Sequence, residues 1–534
     1  MNESILRIIA TVFSTGLFVT CTWKLLGAMQ QSGYKSRVFW HWIRKKENLF
    51  YNRLSIYALC SVLAVAITAL CFSFLGVRTA LIISAVPFIG CGLVFCYADE
   101  KYALKIPVKN TGRLLRLTAV YALFTACISY VFIAGLAFLS KWNGSQLYAF
   151  IAYVPFAIMP VLLPMILCLA NVFESIFENI RNGKFIKRAG QVLDETKITR
   201  IGIVGSYGKT SVKNILQTIL LEKYTVVATP ESYNTPIGIA KTVKSAEFKD
   251  KQIFIAEMGA RRAGDIATLG KMVKPDYAIF TGVCEQHIQT FGSLENVWQA
   301  KKEIFLDAKK VVCGKALKEW VEKDSSISKE KAVFSNAVGI KDICLKATET
   351  AFTLCVEDKE IAVKTKLLGN AAVENILLAV MLAYEMGLQG EEIASGIEKI
   401  EYVPHRLQLL ENNGVYILDD GYNCNPKGAE ESLAALSRFE GRKCLVTPGI
   451  VECGVLEKEI NGRLGEKIAE FDFDKVILIG DTLVGAVKAG YDKAEGAQER
   501  LAVVKSLDDA TAMLAEWVQA GDAVLFLNDL PDVY

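Results

Sequence analysis

The sequence Arg-Ile-Gly-Ile-Val-Gly-Ser-Tyr-Gly-Lys-Thr-Ser occupies residues 200–211. Its β-branched run at 201–204 predicts a short buried strand, and the apolar periodicity of 212–221 predicts a helix after the glycine turn. Such a turn points backbone N–H groups at an anion, which the helix dipole also favours. We expect Lys209 to reach the β- and γ-phosphates of a nucleotide and Thr210 to ligate Mg²⁺.

This stretch is a variant of the phosphate-binding loop, or P-loop. The strict pattern has a glycine five residues before Gly208, where this chain has Ile203. The strand before the loop and the helix after it support the interpretation. The predicted nucleotide contacts here are Gly205, Ser206, Gly208, Lys209, Thr210 and Ser211.

Composition divides the chain into two unlike parts. With 534 residues it is long enough for about three domains, and 52% of its residues are hydrophobic. The first 195 residues carry 19 Lys and Arg against 8 Asp and Glu, whereas the remainder carries 41 against 49. A basic, apolar front and an acidic rear indicate a membrane region joined to a cytosolic one, with no nucleic-acid partner. The 14 cysteines include no CxxC pair, so neither a zinc ribbon nor a disulfide framework is indicated.

Five apolar runs near the N-terminus predict a five-helix transmembrane region over residues 1–171. Each approaches the ~20 residues that cross a bilayer, and they occupy residues 5–23, 54–75, 80–97, 117–139 and 147–170. Lys and Arg concentrate in the first and third connections and after the fifth run. The positive-inside rule then predicts a multi-pass plasma-membrane protein with its N-terminus outside and its catalytic domains in the cytoplasm. The basic, amphipathic residues 172–196 are expected to form a connector at the membrane surface.

Strands alternate with helical patterns from residue 197 onward, which predicts parallel sheets covered by helices. Over 197–400 we expect a P-loop ATPase-like α/β domain with strands at 225–228, 252–256, 277–281 and 310–313. Over 401–534 we expect a separate Rossmann-like α/β domain with strands at 415–418, 443–446, 475–479 and 523–527.

Polar residues follow these strands in a definite order. Glu257 ends a buried strand, His287 follows the next one, and Lys301 lies in the helix after that. Further on come His405-Arg406 and the stretch Asp-Asp-Gly-Tyr-Asn-Cys-Asn at 419–425. Together with the P-loop, this ordered set resembles the Mur ligase family. The resemblance covers about residues 200–521 and none of the first 171.

The resemblance implies ATP-dependent amide ligation. A substrate carboxylate attacks the γ-phosphate to give an acyl phosphate and ADP, and an amine then displaces phosphate. Such chemistry needs positioning and charge neutralisation, supplied here by ATP, two Mg²⁺ ions and cationic side chains. By match to the family, the metal ligands are Thr210, Glu257 and His287, and the catalytic residues are Lys209, His287, Lys301 and Arg406.

Further roles follow from the same resemblance. Lys301 matches the lysine that becomes a carbamate in the family, although Lys302 beside it leaves the position open by one residue. Asn375 matches the adenine-contacting asparagine, but Ala371 and Ala372 replace a His-Asn pair that precedes it in the family. The C-terminal domain is expected to bring Arg406 and Asp420 onto ATP.

The acceptor is expected to differ from that of the family's soluble enzymes, because membrane helices stand where those enzymes carry a domain for uridine diphosphate. We expect a cell-wall precursor acceptor, lipid-linked and presented at the bilayer, and an amino acid or dipeptide as the amine. The family's C-terminal Lys-Gly-Ser-Arg is replaced by Asn-Asp-Leu-Pro-Asp at 528–532. Candidate substrate contacts are Asn234, Thr235, Tyr422, Asn423 and Asn425.

Three other functions are compatible with these motifs. One is a ligase that extends a poly-γ-glutamate-type polymer at the membrane. Another is a transporter or sensor whose nucleotide domain only gates the helices. The third is an inactive scaffold, which intact Lys209, Glu257 and His287 disfavour.

Overall fold

A computed structural model describes residues 3–44, 107–143 and 154–527, except 247, 285–287, 335–336, 423–424, 452, 454–455, 481–482 and 494–496. The chain divides into two compact units, Met1–Gly183 and Lys184–Asp532. The predicted spans at 54–75 and 80–97 lie outside the described residues, as do the first residues of the span at 147–170.

The described part of the first unit is helical. Its helices α1 to α5 are Glu3–Cys21, Trp23–Gln31, Ser36–Arg44, Gly112–Asn143 and Val154–Glu195. Leu26, Phe39, Tyr121 and Leu167 are fully buried in a common apolar core. Helix α5 runs to Glu195 with no break near residue 171, where the sequence predicts that a membrane span ends and a separate connector begins.

Polar contacts join three segments of this unit that the charge pattern assigns to the same side of a membrane. The Gln30 amide donates to the Lys109 carbonyl at 2.7 Å, and the Asn171 amide donates to the Tyr34 carbonyl at 2.9 Å. Glu174, whose side chain is 1% exposed, accepts from Arg113 at 3.1 Å. The three basic segments therefore lie together, as is required if all three face the same side of a membrane.

Two helical segments among the described residues, Gly112–Gly135 and Leu162–Glu195, are long and apolar enough to cross a bilayer. They overlap the predicted spans at 117–139 and 147–170. They qualify by length and apolar composition alone, which core helices of soluble proteins can also have. The described residues thus contain two candidate spans rather than a five-helix region.

A six-stranded parallel sheet organises the first part of the second unit. Its strands β1 to β6 are Thr199–Val204, Val226–Ala228, Ile253–Glu257, Tyr277–Phe280, Lys310–Cys313 and Ala332–Val333, in the order β2-β3-β1-β4-β5-β6. Ile203 of β1 pairs with Glu257 of β3, so the end of β3 lies beside the P-loop. The prediction of a parallel-sheet domain is confirmed.

Helices cover both faces of this sheet. Helices α6 to α14 are Lys209–Leu220, Pro236–Ser245, Asp265–Val273, Ile288–Phe291, Leu294–Lys301, Ile304–Asp307, Lys318–Lys323, Asn370–Glu385 and Gly390–Glu398. Helix α6 begins three residues before the predicted start at 212, because Gly208 forms its N-cap in the left-handed conformation. Ala189 and Leu193, near the end of α5, are buried in the core on one face of the sheet.

An antiparallel sheet that the sequence analysis did not predict lies between the two α/β domains along the chain. Its strands β7, β8 and β9 are Val338–Leu345, Thr350–Val356 and Lys359–Thr365. Phe352, Leu354 and Val363 are buried together with residues of α13 and α14. This sheet therefore extends the core on the face of the central sheet that also carries α6.

The C-terminal domain has a second six-stranded sheet. Strands β10 to β15 are Gln408–Asn412, Val415–Asp420, Lys443–Thr447, Lys475–Ile479, Leu501–Val504 and Ala523–Leu527, in the order β10-β11-β15-β12-β13-β14. Only β10 runs antiparallel to its neighbour in this described sheet. Helices α15 to α18 are Pro426–Leu436, Glu457–Glu470, Val484–Tyr491 and Leu507–Trp517. The prediction of a C-terminal α/β domain is confirmed, and its bounds at 401–534 stay a prediction.

Helices α16 and α17 approach so closely that glycine is required at their contact. A Cβ on Gly490 would lie 1.9 Å from the Gly462 carbonyl oxygen. We expect Gly490→Ala to lower the free energy of unfolding by about 1–3 kcal/mol, because neither backbone can yield. Gly485→Ala is the matched control on the same helix, since nothing lies within 4 Å of a Cβ there. Urea unfolding followed by circular dichroism measures both, and equal stability of the two variants would contradict this packing.

Candidate active site

The P-loop connects β1 to α6 and has the backbone geometry that its glycines predict. Gly208 adopts φ +72°, and a Cβ there would lie 2.5 Å from the Asn375 side-chain oxygen. A side chain at Gly208 would therefore be strained and would collide with the predicted adenine contact. The backbone N–H of Ser206 donates to the Gly282 carbonyl at 2.8 Å, which fixes the loop against the end of β4.

Two lysines converge on one carbonyl group of this loop. The ammonium groups of Lys209 and Lys301 donate to the Gly205 carbonyl oxygen at 2.8 and 3.0 Å. Lys301 is 3% exposed. Burial, helped by the positive charge of Lys209, lowers the pKa of Lys301 to about 7. Burial also lowers the pKa of Lys209, an effect that Glu257 opposes.

The neighbouring Lys302 lies elsewhere. Its ammonium group pairs with the carboxylate of Asp324 at 2.7 Å and also donates to Ser326 at 3.0 Å. Of the two adjacent lysines in the motif, Lys301 is thus the one that reaches the P-loop.

The Glu257 carboxylate is the most enclosed acidic group of the site, at 1% exposed. Its Oε2 accepts from the Thr210 hydroxyl at 2.9 Å, and its Oε1 accepts from the Asn234 amide at 3.0 Å. The ammonium group of Lys213 lies 3.4 Å from Oε2. The sequence analysis missed Lys213, although it lies one helical turn after Lys209 and hence on a similar face of α6.

The donor set around Glu257 fits a magnesium ion. A carboxylate and a hydroxyl oxygen are hard ligands of the kind that Mg²⁺ prefers, with waters and substrate phosphates completing the shell. The third predicted ligand, His287, lies outside the described residues. Within those residues, no group of three or more His, Cys, Asp or Glu side chains could hold a metal alone. The fit is therefore to a metal that shares its ligands with a nucleotide.

A cavity of about 150 Å³ lies against the P-loop on the side of Asn375. Ala371 and Ala372 line it, as do Arg406 and Asp420 of the C-terminal domain. Burial raises the pKa of Asp420, whose carboxylate accepts from the Ser432 hydroxyl at 2.6 Å. Predicted nucleotide contacts from both domains therefore border this cavity, namely Gly208, Ser211, Asn375, Arg406 and Asp420.

Tyr207 of the P-loop also lines this cavity and was not among the predicted contacts. The ammonium group of Lys427 lies 4.9 Å from the centre of its ring and pairs with Glu374 at 3.0 Å. This contact connects the start of α15 to α13 beside the loop. The sequence offers no periodic or motif signal for it, because the three residues come from three distant segments.

A second cavity, of about 470 Å³, adjoins the loop on the side of Glu257. Among the residues that line it are Lys209, Thr210, Asn234, Thr235, Glu257, Arg261, Lys301, Arg406, Tyr422 and Asn425. The guanidinium of Arg406 stacks 4.6 Å from the ring centre of Tyr422, whose hydroxyl lies 2.9 Å from that of Ser232. Cationic and acidic side chains thus share this space with the predicted substrate contacts.

Two of the predicted substrate contacts, Thr235 and Asn425, also cap helices, and a third lies outside the described residues. The Thr235 hydroxyl accepts from the Gly238 N–H at 3.2 Å and caps α7. Asn425 caps α15 in the same way, accepting from the Gly428 N–H at 3.1 Å. Asn423 lies outside the described residues. The caps fix two loops that border the cavity, a local role that the sequence analysis did not assign.

Comparison with known proteins identifies two family domains in the chain. The model described as the Mur ligase middle domain matches residues 203–383, and the one described as the Mur ligase, glutamate ligase domain matches residues 405–528. UDP-N-acetylmuramoyl-tripeptide–D-alanyl-D-alanine ligase of Bacillus subtilis is 27% identical over 346 residues, which cover 62% of this chain and 74% of that protein. The ligase of that name from Escherichia coli is 27% identical over 308 residues, or 55% and 68% of the two chains.

Solved structures agree with this assignment. The MurF ligase of Thermotoga maritima in complex with ADP superposes with a TM-score of 0.58 at 26% identity, over 66% of this chain and 81% of that one. MurF from Acinetobacter baumannii reaches a TM-score of 0.60 at 22% identity, over 66% and 78%, which is a similarity of fold.

Proposed function

Since this chain belongs to the Mur ligase family of ATP-dependent, ADP-forming amide ligases, we propose that it joins a carboxyl group of a cell-wall precursor to an amine. The observation that carries the proposal is the 470 Å³ cavity, which brings Lys209, Glu257 and Lys301 together with the loop around Asn234. An enzyme that only hydrolyses ATP would need no more than the part of this cavity beside the P-loop. A ligase also needs room for an acceptor and an amine, and the part of the cavity around Asn234 offers that room.

The phosphates of ATP are assigned to the P-loop. Its backbone N–H groups and the α6 N-terminus favour an anion, and Lys209 adds a cation beside them. Bound Mg²⁺ supplies charge neutralisation on the phosphates. Thr210, Glu257 and His287 are proposed to hold two Mg²⁺ ions between them, Thr210 serving the first. The remaining loop contacts are Gly205, Ser206, Gly208 and Ser211.

The base and ribose are assigned to the 150 Å³ cavity. Asn375 lies at its edge beside Gly208, and Arg406 and Asp420 reach it from the C-terminal domain. Ala371 and Ala372 offer no side-chain hydrogen bond to the nucleotide, so Asn375 is expected to carry more of the base recognition in this chain.

The reaction proceeds in two displacements. A carboxylate oxygen of the acceptor attacks the γ-phosphorus, and the bond from that phosphorus to ADP breaks. The amine nitrogen then attacks the acyl carbon, and phosphate leaves with the carboxylate oxygen. Arg406 and Lys209 flank the path and stabilise the charge that develops on the transferred group. Asn234, Thr235, Tyr422, Asn423 and Asn425 are the proposed contacts of acceptor and amine.

The named relatives suggest the substrate class. They join D-alanyl-D-alanine to a UDP-N-acetylmuramoyl-tripeptide, so a muramoyl peptide is the first candidate acceptor and an amino acid or dipeptide the first candidate amine. The described N-terminal unit is helical and contains no α/β nucleotide-binding sheet. We therefore propose that the acceptor is presented at a membrane and is lipid-linked.

Membrane attachment is proposed on two supports. Residues 112–135 and 162–195 contain candidate spans, and the three basic segments predicted to be cytoplasmic contact one another. We propose that the chain has five membrane spans over 1–171 and a connector over 172–196. The catalytic domains over 197–400 and 401–534 then lie in the cytoplasm.

We expect phosphate release by the full-length protein, reconstituted in lipid vesicles, to require both an acceptor and an amine. Matched assays would compare UDP-linked with lipid-linked muramoyl peptides, each with D-alanyl-D-alanine, single amino acids or labelled glutamate. Coupled amide product and a rate about tenfold higher with the lipid-linked acceptor are expected, because the membrane raises its local concentration. Lys209→Ala should abolish release, and Lys241→Met, an exposed change on α7, should not.

Two outcomes would count against these proposals. ATP hydrolysis that continues without amine and yields no amide would contradict the ligase. Full activity on the UDP-linked acceptor without lipid would contradict the lipid-linked acceptor while leaving the ligase intact.

We also propose that Lys301 acts as a carbamate. Carbon dioxide reacts with an unprotonated amine, and a pKa of about 7 leaves a large share of Lys301 unprotonated near neutral pH. The carbamate would place a negative group beside Lys209, where it could support the second metal.

Substitution Lys301→Ala should lower ligation by about a hundredfold or more, because the negative group beside the phosphates is lost. Formate, acetate or propionate should restore part of the activity, because each can bring a carboxylate into the space that the Lys301 side chain leaves. Lys302→Ala is the matched control, since Lys302 pairs with Asp324 instead. Loss of activity with no rescue by any of the three acids would contradict the carbamate.

A further inference from the structure

Lys213 is a buried cation that the proposed reaction does not use. It is 1% exposed, and its ammonium group lies 3.4 Å from Oε2 of Glu257. It also donates a hydrogen bond to the carbonyl oxygen of Glu231. This residue lies in the acceptor-facing loop, by which we mean residues 229–235 with the proposed substrate contacts Asn234 and Thr235. A buried lysine without such partners would be costly, so these two groups account for its position.

The Glu257 carboxylate has three protein side chains within hydrogen-bond distance. Thr210 and Lys213 contact one oxygen and Asn234 contacts the other. A carboxylate has about four acceptor positions, so one direction stays open to a ligand. Its negative charge, however, is balanced by the ammonium group of Lys213.

We propose that Lys213 makes divalent-metal binding at Glu257 depend on bound nucleotide. A neutralised carboxylate attracts Mg²⁺ weakly, and the phosphates of a nucleotide supply the missing negative charge. Metal and nucleotide thus enter as a unit, and Lys213 acts as a positioning residue through Glu257. This inference rests on the metal role proposed for Glu257.

The same cation connects the metal site to the acceptor loop. Glu231 has φ +43°, a conformation that non-glycine residues rarely adopt. The hydrogen bond from Lys213 holds the carbonyl group of this turn, and Asn234 lies three residues further on the same loop. The acceptor-facing loop is therefore connected to the Glu257 carboxylate twice, directly by Asn234 and indirectly through Lys213.

Binding of Mn²⁺ by the full-length protein, measured by electron paramagnetic resonance with and without ADP, tests the inference without any catalytic turnover. The wild type should bind Mn²⁺ at least about tenfold more tightly with ADP than without it. Lys213→Met and Lys213→Gln remove the charge and should strengthen nucleotide-free binding about tenfold. Lys213→Arg keeps the charge and should resemble the wild type, as should the exposed control Lys241→Met.

The Gln variant keeps a hydrogen-bond donor for the Glu231 carbonyl group, so it separates the effect of charge from that of a disturbed loop. Nucleotide-free binding by Lys213→Gln that is no tighter than in the wild type would overturn the inference. Glu257→Gln should weaken Mn²⁺ binding in the presence of ADP. If it weakens binding while the Lys213 variants change nothing, only the inference fails; if it has no effect, the metal role of Glu257 fails with it.

Discussion

A buried carboxylate is costly unless hydrogen-bond donors and a cation surround it. The side chain of Glu257 is buried, so its neighbours have to supply these groups. Thr210 comes from the helix that follows the P-loop, Asn234 from the acceptor-facing loop, and Lys213 from the next turn of α6. Each partner belongs to a different segment of the chain. The need to satisfy one charge therefore brings together the parts of the cavity that we propose for phosphate, metal and acceptor.

The parallel sheet makes this convergence possible. Strand β3 pairs directly with β1, and Ile203 lies opposite Glu257, so the carboxylate stands level with the start of the glycine turn. Parallel strands present their carboxyl ends along one edge, which is where ligands bind in such sheets. On the same edge, the buried Lys301 reaches back to the Gly205 carbonyl. The C-terminal domain then contributes Arg406, Tyr422 and Asn425 to the cavity.

Local patterns in the sequence predicted both α/β domains, because strand ends and a glycine turn have strong signatures. The P-loop and the family resemblance together predicted more than half of the residues that line the cavity beside Glu257, but fewer than half of those that line the cavity beside Asn375. The antiparallel strands over 338–365 were missed because β7 is largely exposed. In β8 the less buried positions include apolar Ala351 and Cys355, which hide the alternation in the sequence. Lys213 was missed for another reason. Its partner on β3 becomes its neighbour only through a strand order that departs from the order along the chain. The five-span prediction stays a proposal, because two of its runs lie outside the described residues.

Transfer of an isotope tests the acyl-phosphate chemistry most directly. The acceptor carboxylate would be labelled with ¹⁸O, and the phosphate released with the amide product would be analysed by mass spectrometry. If the carboxylate attacks ATP and the amine then displaces phosphate, each released phosphate carries one oxygen from the acceptor. Phosphate without label, released at the same rate, would show that water attacks ATP and would contradict the account.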